Sequence, residues 1–379
     1  MKILIFSVAY HPFIGGAEIA VKEITDRLTD FEFHLITINH DGKQKAQEKI
    51  GNVHVYRIGS GMLGRYLFPF LGAWKGLSLH VKEKFDLTWS IMASYSGFAA
   101  LFFKYRKPDV PFVLTLQEGD SIGHILKHVW FIYPLFKQIF QKADKIQAIS
   151  NYLAVFGERM VGAHADREPI TVIPNGVDVS LFTQAFPSQE IEAFKNKLGK
   201  KLGDVFLITT SRLVKKNGVA DVIKSLKHLP TNFKFLILGT GELEQSLRNL
   251  AQSYKVADRV SFLGLVAHAD IPKYLKASDI FIRPSLSEGM GNSFIEAMAA
   301  GIPVIATPVG GIPDFIEDGK TGFFCRVNDP QSIAKNVIKI AEDGVLRAEI
   351  IKNAHTLAVQ KYDWNLVAEN MKELVFKAV

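Results

Sequence analysis

The sequence predicts an α/β protein made of two doubly wound parallel-sheet domains in tandem. Short apolar runs alternate with helical stretches, the pattern of βαβ units. The first run, Lys2 to Val8, is nearly continuous in apolar residues, as in a strand buried on both faces. The alternation breaks near Asp178, crosses a polar stretch, and resumes at Val205. A chain of 379 residues also has room for two domains of about 150 residues each.

Taken in order, the loop Tyr10 to Gly16 follows the first strand. A helix then runs from Ala17 to Leu28, with Ala17, Ala20, Val21, Ile24 and Leu28 on one face. Phe33–Ile38, Val53–Ile58, Leu87–Met92, Pro111–Leu116 and Lys145–Ser150 read as further strands, and Ser150 caps the next helix. Pro, Asn and Gly within Thr171–Asp178 punctuate a break, so residues 1–178 form the expected first domain. Pro187–Lys201 reads as linker or surface helix. The second series has strands at Val205–Thr210, Lys234–Leu238, Val260–Leu263, Asp279–Ile282 and Pro303–Ala306. Its helices are expected at Asn217–Leu229, Glu242–Tyr254 and from Asn292 to Gly301, within a domain over 179–363. A last helix, Asn365–Lys377, carries Leu366, Val367, Met371, Leu374 and Val375. These need an apolar partner, so residues 364–379 are expected to return to the first domain. A cleft between two such domains is the natural ligand site.

Composition narrows the function. Hydrophobic content of 48% with 22% charged residues excludes a disordered chain. The single cysteine, Cys325, excludes an intramolecular disulfide and fits a reducing, cytoplasmic compartment. The apolar start is too short for a signal peptide, and no run reaches the roughly 18 apolar residues that span a bilayer. A net charge of +7 and a pI near 9.2 suit an anionic partner. No nucleic-acid fold signature accompanies the charge, so nucleic acid is not expected. Basic and aromatic residues crowd Arg65–Phe70, Phe102–Lys107 and His128–Lys137. Such segments suit peripheral contact with anionic lipid on the inner face of a membrane, or equally core helices with solvated charges.

Arg283–Ala306 concentrates the chemistry. A loop holding Ser285, Ser287, Glu288, Gly289 and Gly291 leads from a strand into a helix start. Amides and the helix dipole there favour an anion. Two acids, Glu288 and Glu296, bracket the loop and suit a ligand rich in hydroxyls. Ser293 and Glu296 also fit a capping box, which explains Glu296 without a ligand. Gly15-Gly16 lets a ligand's phosphate near the backbone or makes a tight turn. Arg212, Lys215 and Lys216 follow the second domain's first strand, where cations neutralise a diphosphate or form a solvated loop. Gly239-Thr-Gly241 allows approach of a nucleotide or a sharp turn before the next helix. Gln117-Glu-Gly-Asp120 ends a first-domain strand and could hold an acceptor. No histidine pair has a convincing third ligand. No Asp-x-Asp occurs, so a metal-held diphosphate is not supported.

Gly15-Gly16, Ile173–Asp178, Ser211-Arg-Leu213, Gly239-Thr-Gly241 and the Glu288-to-Glu296 loop and helix, in this order, resemble glycosyltransferase family 4. Its members are retaining enzymes of GT-B architecture. The similarity runs from Lys2 to Trp364 and is strongest over Val260–Phe324. The resemblance implies a sugar moved from a UDP- or GDP-linked donor to a hydroxyl acceptor, lipid-linked or a cell-surface polysaccharide precursor, without metal or other cofactor. It implies that Gly16 meets the diphosphate, with Gly239 and Gly241 near the nucleotide. Arg212 and Lys216 neutralise the leaving group, and Glu296 holds the ribose. Glu288, with the amides of Gly291, Asn292 and Ser293, holds the sugar and phosphate. Backbone at Leu265 and Val266 reads the base. Two positions depart from the family: Asn217 stands where a lysine usually precedes the glycine, and Gln117 where a histidine is frequent. A sugar-nucleotide epimerase of the same fold and a non-catalytic nucleotide-binding subunit are the alternatives.

Overall fold

The computed structural model describes residues 1–13, 15–162 and 168–379. Ile14, inside the first loop, lies outside them. The chain divides into two compact units, Met1–Asn175 with Trp364–Val379, and Gly176–Asp363.

Among the described residues the first unit holds an eight-stranded sheet. Its strands are β1 Lys2–Phe6, β2 Glu32–Asn39, β3 Gln47–Ile50, β4 Val53–Ser60, β5 Leu87–Ile91, β6 Phe112–Leu116, β7 Lys145–Ala148 and β8 Thr171–Val172. The order is β3-β4-β2-β1-β5-β6-β7-β8, parallel except for the antiparallel pair β3–β4. Alternating side chains serve two helical layers. Ile3 and Ile5 face the core shared with Val21, Ile24, Val367 and Met371. Leu4 and Phe6 face the other way, where a Cβ on Gly76 would lie 3.1 and 3.0 Å from their side chains. That second layer holds the helices Gly61–Glu83, Tyr95–Arg106 and Tyr133–Lys142.

Two elements of this unit escape a reading by periodicity. β3 is a polar edge strand with no buried residue. The Gly61–Glu83 helix is apolar on several faces and has Pro69 within it, so no single stripe marks it. The expected C-terminal helix is a Trp364–Met371 helix followed by a π turn, Lys372–Phe376. The turn seats Phe376 against Trp89 and Phe31, at 5.0 and 6.2 Å between ring centroids.

The second unit holds a six-stranded, wholly parallel sheet among the described residues. Its strands are β9 Val205–Thr210, β10 Phe233–Leu238, β11 Val260–Gly264, β12 Ile280–Arg283, β13 Val304–Ala306 and β14 Phe323–Phe324, ordered β11-β10-β9-β12-β13-β14. The helix expected over Asn217–Leu229 is shorter, Val219–Ser225, between single 3-10 turns at Lys215–Asn217 and Leu226–His228. Gly218 breaks it: its φ is +68°, and a Cβ there would lie 2.0 Å from the Pro284 carbonyl oxygen.

Each sheet reverses its strand order once, between β1 and β5 and between β9 and β12. The crevice beyond the strand ends at such a point is where open α/β sheets bind ligands.

Candidate active site

The residues singled out above lie in the loops at the strand ends, several of them at these reversal points and the others beyond the neighbouring strands β6, β10 and β11. In the second unit, Arg212 and Lys216 lie in the loop after β9, and Glu288 and Gly291 in the loop after β12. The two loops are joined by the Leu286 amide, which donates to the Lys216 carbonyl at 2.7 Å. Arg212 is exposed and Lys216 half-buried. Asn217 is buried, and its side-chain amide donates to the Arg212 carbonyl at 2.7 Å. It therefore braces the loop. The side chains at the loop surface are those of Arg212, Lys215 and Lys216.

Glu288 is held by a residue that the sequence reading left without a role. The Arg283 guanidinium, buried at the end of β12, donates to Glu288 Oε2 at 2.6 Å and to Ser293 Oγ at 2.8 Å. It also stacks on Phe294, 4.3 Å from the ring centroid. One planar fork thus fixes the acid and the first turn of the Asn292–Ala299 helix. The signal in the sequence was an arginine at the end of an otherwise apolar strand.

The capping-box reading of Ser293 and Glu296 is corrected. The helix begins at Asn292 with Gly291 as its N-cap, in the left-handed region at φ +96°. This places Ser293 inside the first turn, bonded to Arg283. Glu296 Oε1 instead meets His268 Nε2 at 2.9 Å. His268 belongs to the segment after β11, beside Leu265 and Val266, of which Leu265 is exposed. No periodic pattern in the sequence links His268 to Glu296.

Gly239 and Gly241 have a packing role. Cβ atoms on them would lie 2.0 Å from the Ser211 carbonyl oxygen and 2.5 Å from the Leu213 carbonyl oxygen. The Leu213 amide donates to Thr240, and the Gly239 amide to Gly264. Around this platform the hydroxyls of Thr209, Thr210, Ser211 and Ser285 are buried without a hydrogen-bond partner among the described residues. Buried polar groups are nearly always paired, so such a cluster at a strand-end crevice marks a place for a polar ligand.

In the first unit Gly16 opens the Gly16–Arg27 helix, and nothing lies within 4 Å of where its Cβ would be. The Gly15 amide is capped by Glu18 at 2.7 Å. Gln117, just beyond β6, is buried; its Nε2 donates to Asn175 Oδ1 at 3.1 Å and its Oε1 is unpartnered among the described residues. Next to it, Glu118 accepts from the Ala93 amide at 2.7 Å through Oε1, while Oε2 is also unpartnered. Burial pushes the Glu118 carboxyl up to about 7. Ala93 follows Met92, whose φ of +69° is strained for a non-glycine residue. A buried acid beside strained backbone at a reversal point is a functional signature that spacing alone does not reveal.

Elsewhere, Glu32, His34 and Glu83 approach at metal-ligand spacing. The Lys2 ammonium already sits 3.0 Å from Glu83 and 3.4 Å from Glu32, at the opposite end of β1 from the loops above.

Residues 14–181 match the family profile described as Glycosyltransferase Family 4, and residues 190–357 that described as Glycosyl transferases group 1. The chain belongs to glycosyltransferase family 4. This glycosyltransferase is 28% identical over 392 residues to the alpha-monoglucosyldiacylglycerol synthase of Acholeplasma laidlawii, spanning 99% of this chain and 96% of that protein. It is 27% identical over 366 residues to an uncharacterized glycosyltransferase of Methanocaldococcus jannaschii, spanning 96% of this chain and 95% of that one. The crystal structure of Anabaena HepE in complex with UDP-glucose matches with a TM-score of 0.83 at 22% identity over 100% of both chains. The glycosyltransferase fold is GT-B.

Proposed function

We propose that this glycosyltransferase moves a sugar from a UDP- or GDP-linked donor to a hydroxyl acceptor with retention at the anomeric carbon and without a metal. The observation that carries this reading is the β9/β12 crevice. It brings together buried unpartnered hydroxyls, the Arg283-held Glu288, and the first-turn amides of the Asn292–Ala299 helix.

In this reading the helix start and the Gly291, Asn292 and Ser293 amides receive the sugar and its phosphate, and Glu288 accepts from sugar hydroxyls. Glu296 takes the ribose hydroxyls, exchanging its bond with His268 for theirs. Leu265 and Val266 meet the base through backbone. Gly239 and Gly241 hold the loop that faces the nucleotide. Gly16 offers an amide to the diphosphate. The acceptor oxygen attacks the anomeric carbon on the face from which the diphosphate departs. The bond to the diphosphate breaks with its electron pair going to the phosphate oxygen, and the acceptor proton passes to that same oxygen. Arg212 and Lys216 neutralise the charge that develops there. Gln117 can orient a hydroxyl but cannot take its proton.

The names of the Acholeplasma relative and of a colanic acid biosynthesis relative, and the UDP-glucose held by HepE, support a sugar nucleotide and an acceptor in glycolipid or polysaccharide synthesis. In this reading a lipid-linked acceptor is met at the cytoplasmic face of a membrane. No helix among the described residues is long and apolar enough to cross one. A thermal-shift panel of UDP-, GDP- and ADP-sugars, with and without a chelator, tests the donor. Mass spectrometry on the best binder with candidate acceptors then tests transfer. Stabilisation by a UDP- or GDP-sugar that survives chelation, followed by a glycosylated product, is expected. Tight binding with no turnover would favour the accessory-subunit reading, and conversion of the donor alone the epimerase.

A further inference from the structure

The Gly61–Glu83 helix inverts the usual placement of size. Its inward face is built on Gly64, Gly72 and Gly76, which let it lie close to the sheet and the neighbouring helix. Its outward face carries the bulk: Leu63, Tyr66, Phe70 and Trp74 are exposed, Phe70 by 63% and Trp74 by 69%. The spacing of three and four between them makes one stripe. Phe70 stacks on Phe102 of the adjacent Tyr95–Arg106 helix at 5.1 Å, so the apolar surface crosses to the next element. At the head of the third helix of this layer, Trp130 is 74% exposed and Phe131 lies beside it in the same exposed turn. A monomer in water has no use for a surface of this kind.

Charge selects what covers it. Residues 61–83, 95–106 and 122–142 contain Arg65, Lys75, Lys82, Lys104, Arg106, Lys127, Lys137 and Lys142 against a single acid, Glu83, which is paired with Lys2 at the far end of its helix. A protein partner or a second copy would meet a one-signed field. An anionic bilayer presents the complementary sign together with an apolar layer at headgroup depth, where Trp and Tyr settle. The geometry of the unit points the same way. Each of the first two helices starts where a parallel strand ends, at Ser60 and Ile91, and Trp130 follows the helix that leaves β6. The exposed stripe therefore starts with Leu63 and Tyr66 at the strand-end side of the unit, the side that carries Gln117 and Glu118, and runs along the helix to Phe70 and Trp74.

We propose that the outer face of these three helices is the docking surface for an anionic lipid bilayer, with Leu63, Tyr66, Phe70, Trp74, Trp130 and Phe131 entering the interface. This rests on the reading above that the acceptor is held at a membrane, and it names the surface that would bring the enzyme there.

Flotation of the full chain with equimolar phosphatidylcholine–phosphatidylglycerol vesicles tests it. The protein is expected to float with these vesicles at low salt, to be released as salt rises, and to stay behind with phosphatidylcholine alone. Tryptophan emission should shift to the blue on binding. Phe70→Ser/Trp74→Ser should lower partitioning about tenfold while leaving sugar-nucleotide hydrolysis unchanged. No flotation at low salt overturns the proposal, and so does equal flotation of the variant. A concentration-dependent dimer in sedimentation, abolished by the same variant, overturns it in favour of a second copy. Flotation without turnover of any sugar nucleotide would sink the transfer reading and leave the docking surface standing. Turnover with a soluble acceptor and no flotation would do the reverse.

Discussion

The strand-end loops of the two units are fastened by different means. In the second unit the loops are fastened to one another chiefly backbone on backbone, with the Asn217 and Arg283 side chains bracing them from within. Gly218 sits against Pro284, Gly239 against Ser211, Gly241 against Leu213, and Gly310 against Glu288, each at a separation that no Cβ could share. In the first unit side chains do the work: Gln117 reaches Asn175, Glu118 reaches the Ala93 amide, and Gly16 has room around it. Backbone fastening fixes geometry whatever the neighbouring side chains are. Side-chain fastening makes geometry depend on sequence. In the proposed function the first kind serves the donor, whose diphosphate and ribose are shared by many sugar nucleotides, and the second serves the acceptor.

The comparison is most directly broken at Gly310, whose φ is +58° and whose Cβ would fall 1.6 Å from the Glu288 carbonyl oxygen. Gly310→Ala should destabilise the second unit by about 3 kcal/mol, read as a lower melting temperature. A melting temperature like that of the parent would show that the loops yield. Glu288→Gln keeps the shape and removes the charge facing Arg283. Donor turnover should fall about a hundredfold with ~1–2 kcal/mol lost from stability. Loss of stability alone would make Glu288 a brace for Arg283.

In the first unit, Glu118 ties the comparison to pH. Its folded value, about 7, lies above its ordinary value of 4.5. The folded state then holds a proton that the unfolded state has lost. Stability from this group is whole below pH 4.5 and falls as pH rises to about 7. Glu118→Gln should abolish that fall and raise stability at pH 8 relative to the parent by roughly 2 kcal/mol. Parallel pH–stability curves for the two proteins would exclude the buried-acid account.

Smaller effects separate the remaining residues. Glu296→Gln should raise the donor KM about tenfold at constant melting temperature. Gly16→Ala should leave stability within about 0.5 kcal/mol and cut donor turnover about tenfold. An unchanged turnover would place Gly16 outside donor binding.

The sequence makes the fold readable where one physical cause dominates. Buried parallel strands such as β1, β5 and β6 show as short, largely apolar runs, and Gly218, Gly239 and Gly291 mark turns that need them. It hides features that depend on partners distant in the chain. The Gly61–Glu83 helix is apolar on both its packed and its exposed side, so periodicity has no contrast to detect. The Ser293–Glu296 spacing imitates a capping box, but Arg283 and His268 take both side chains. Asn217 occupies the place of a cation while serving the Arg212 carbonyl. Glu118 reads as one more polar loop residue until burial gives it a different acidity.

The interlocked glycines also bear on engineering. The loops after β9, β10, β12 and β13 close on one another through carbonyls and amides, so none has a conformation of its own to lend. Grafting a single loop from a relative that uses another sugar nucleotide would import a shape its adjoining loops do not complement. In the proposed function, donor preference would therefore be exchangeable as a cassette, all four loops together, whereas acceptor preference would be altered one side chain at a time.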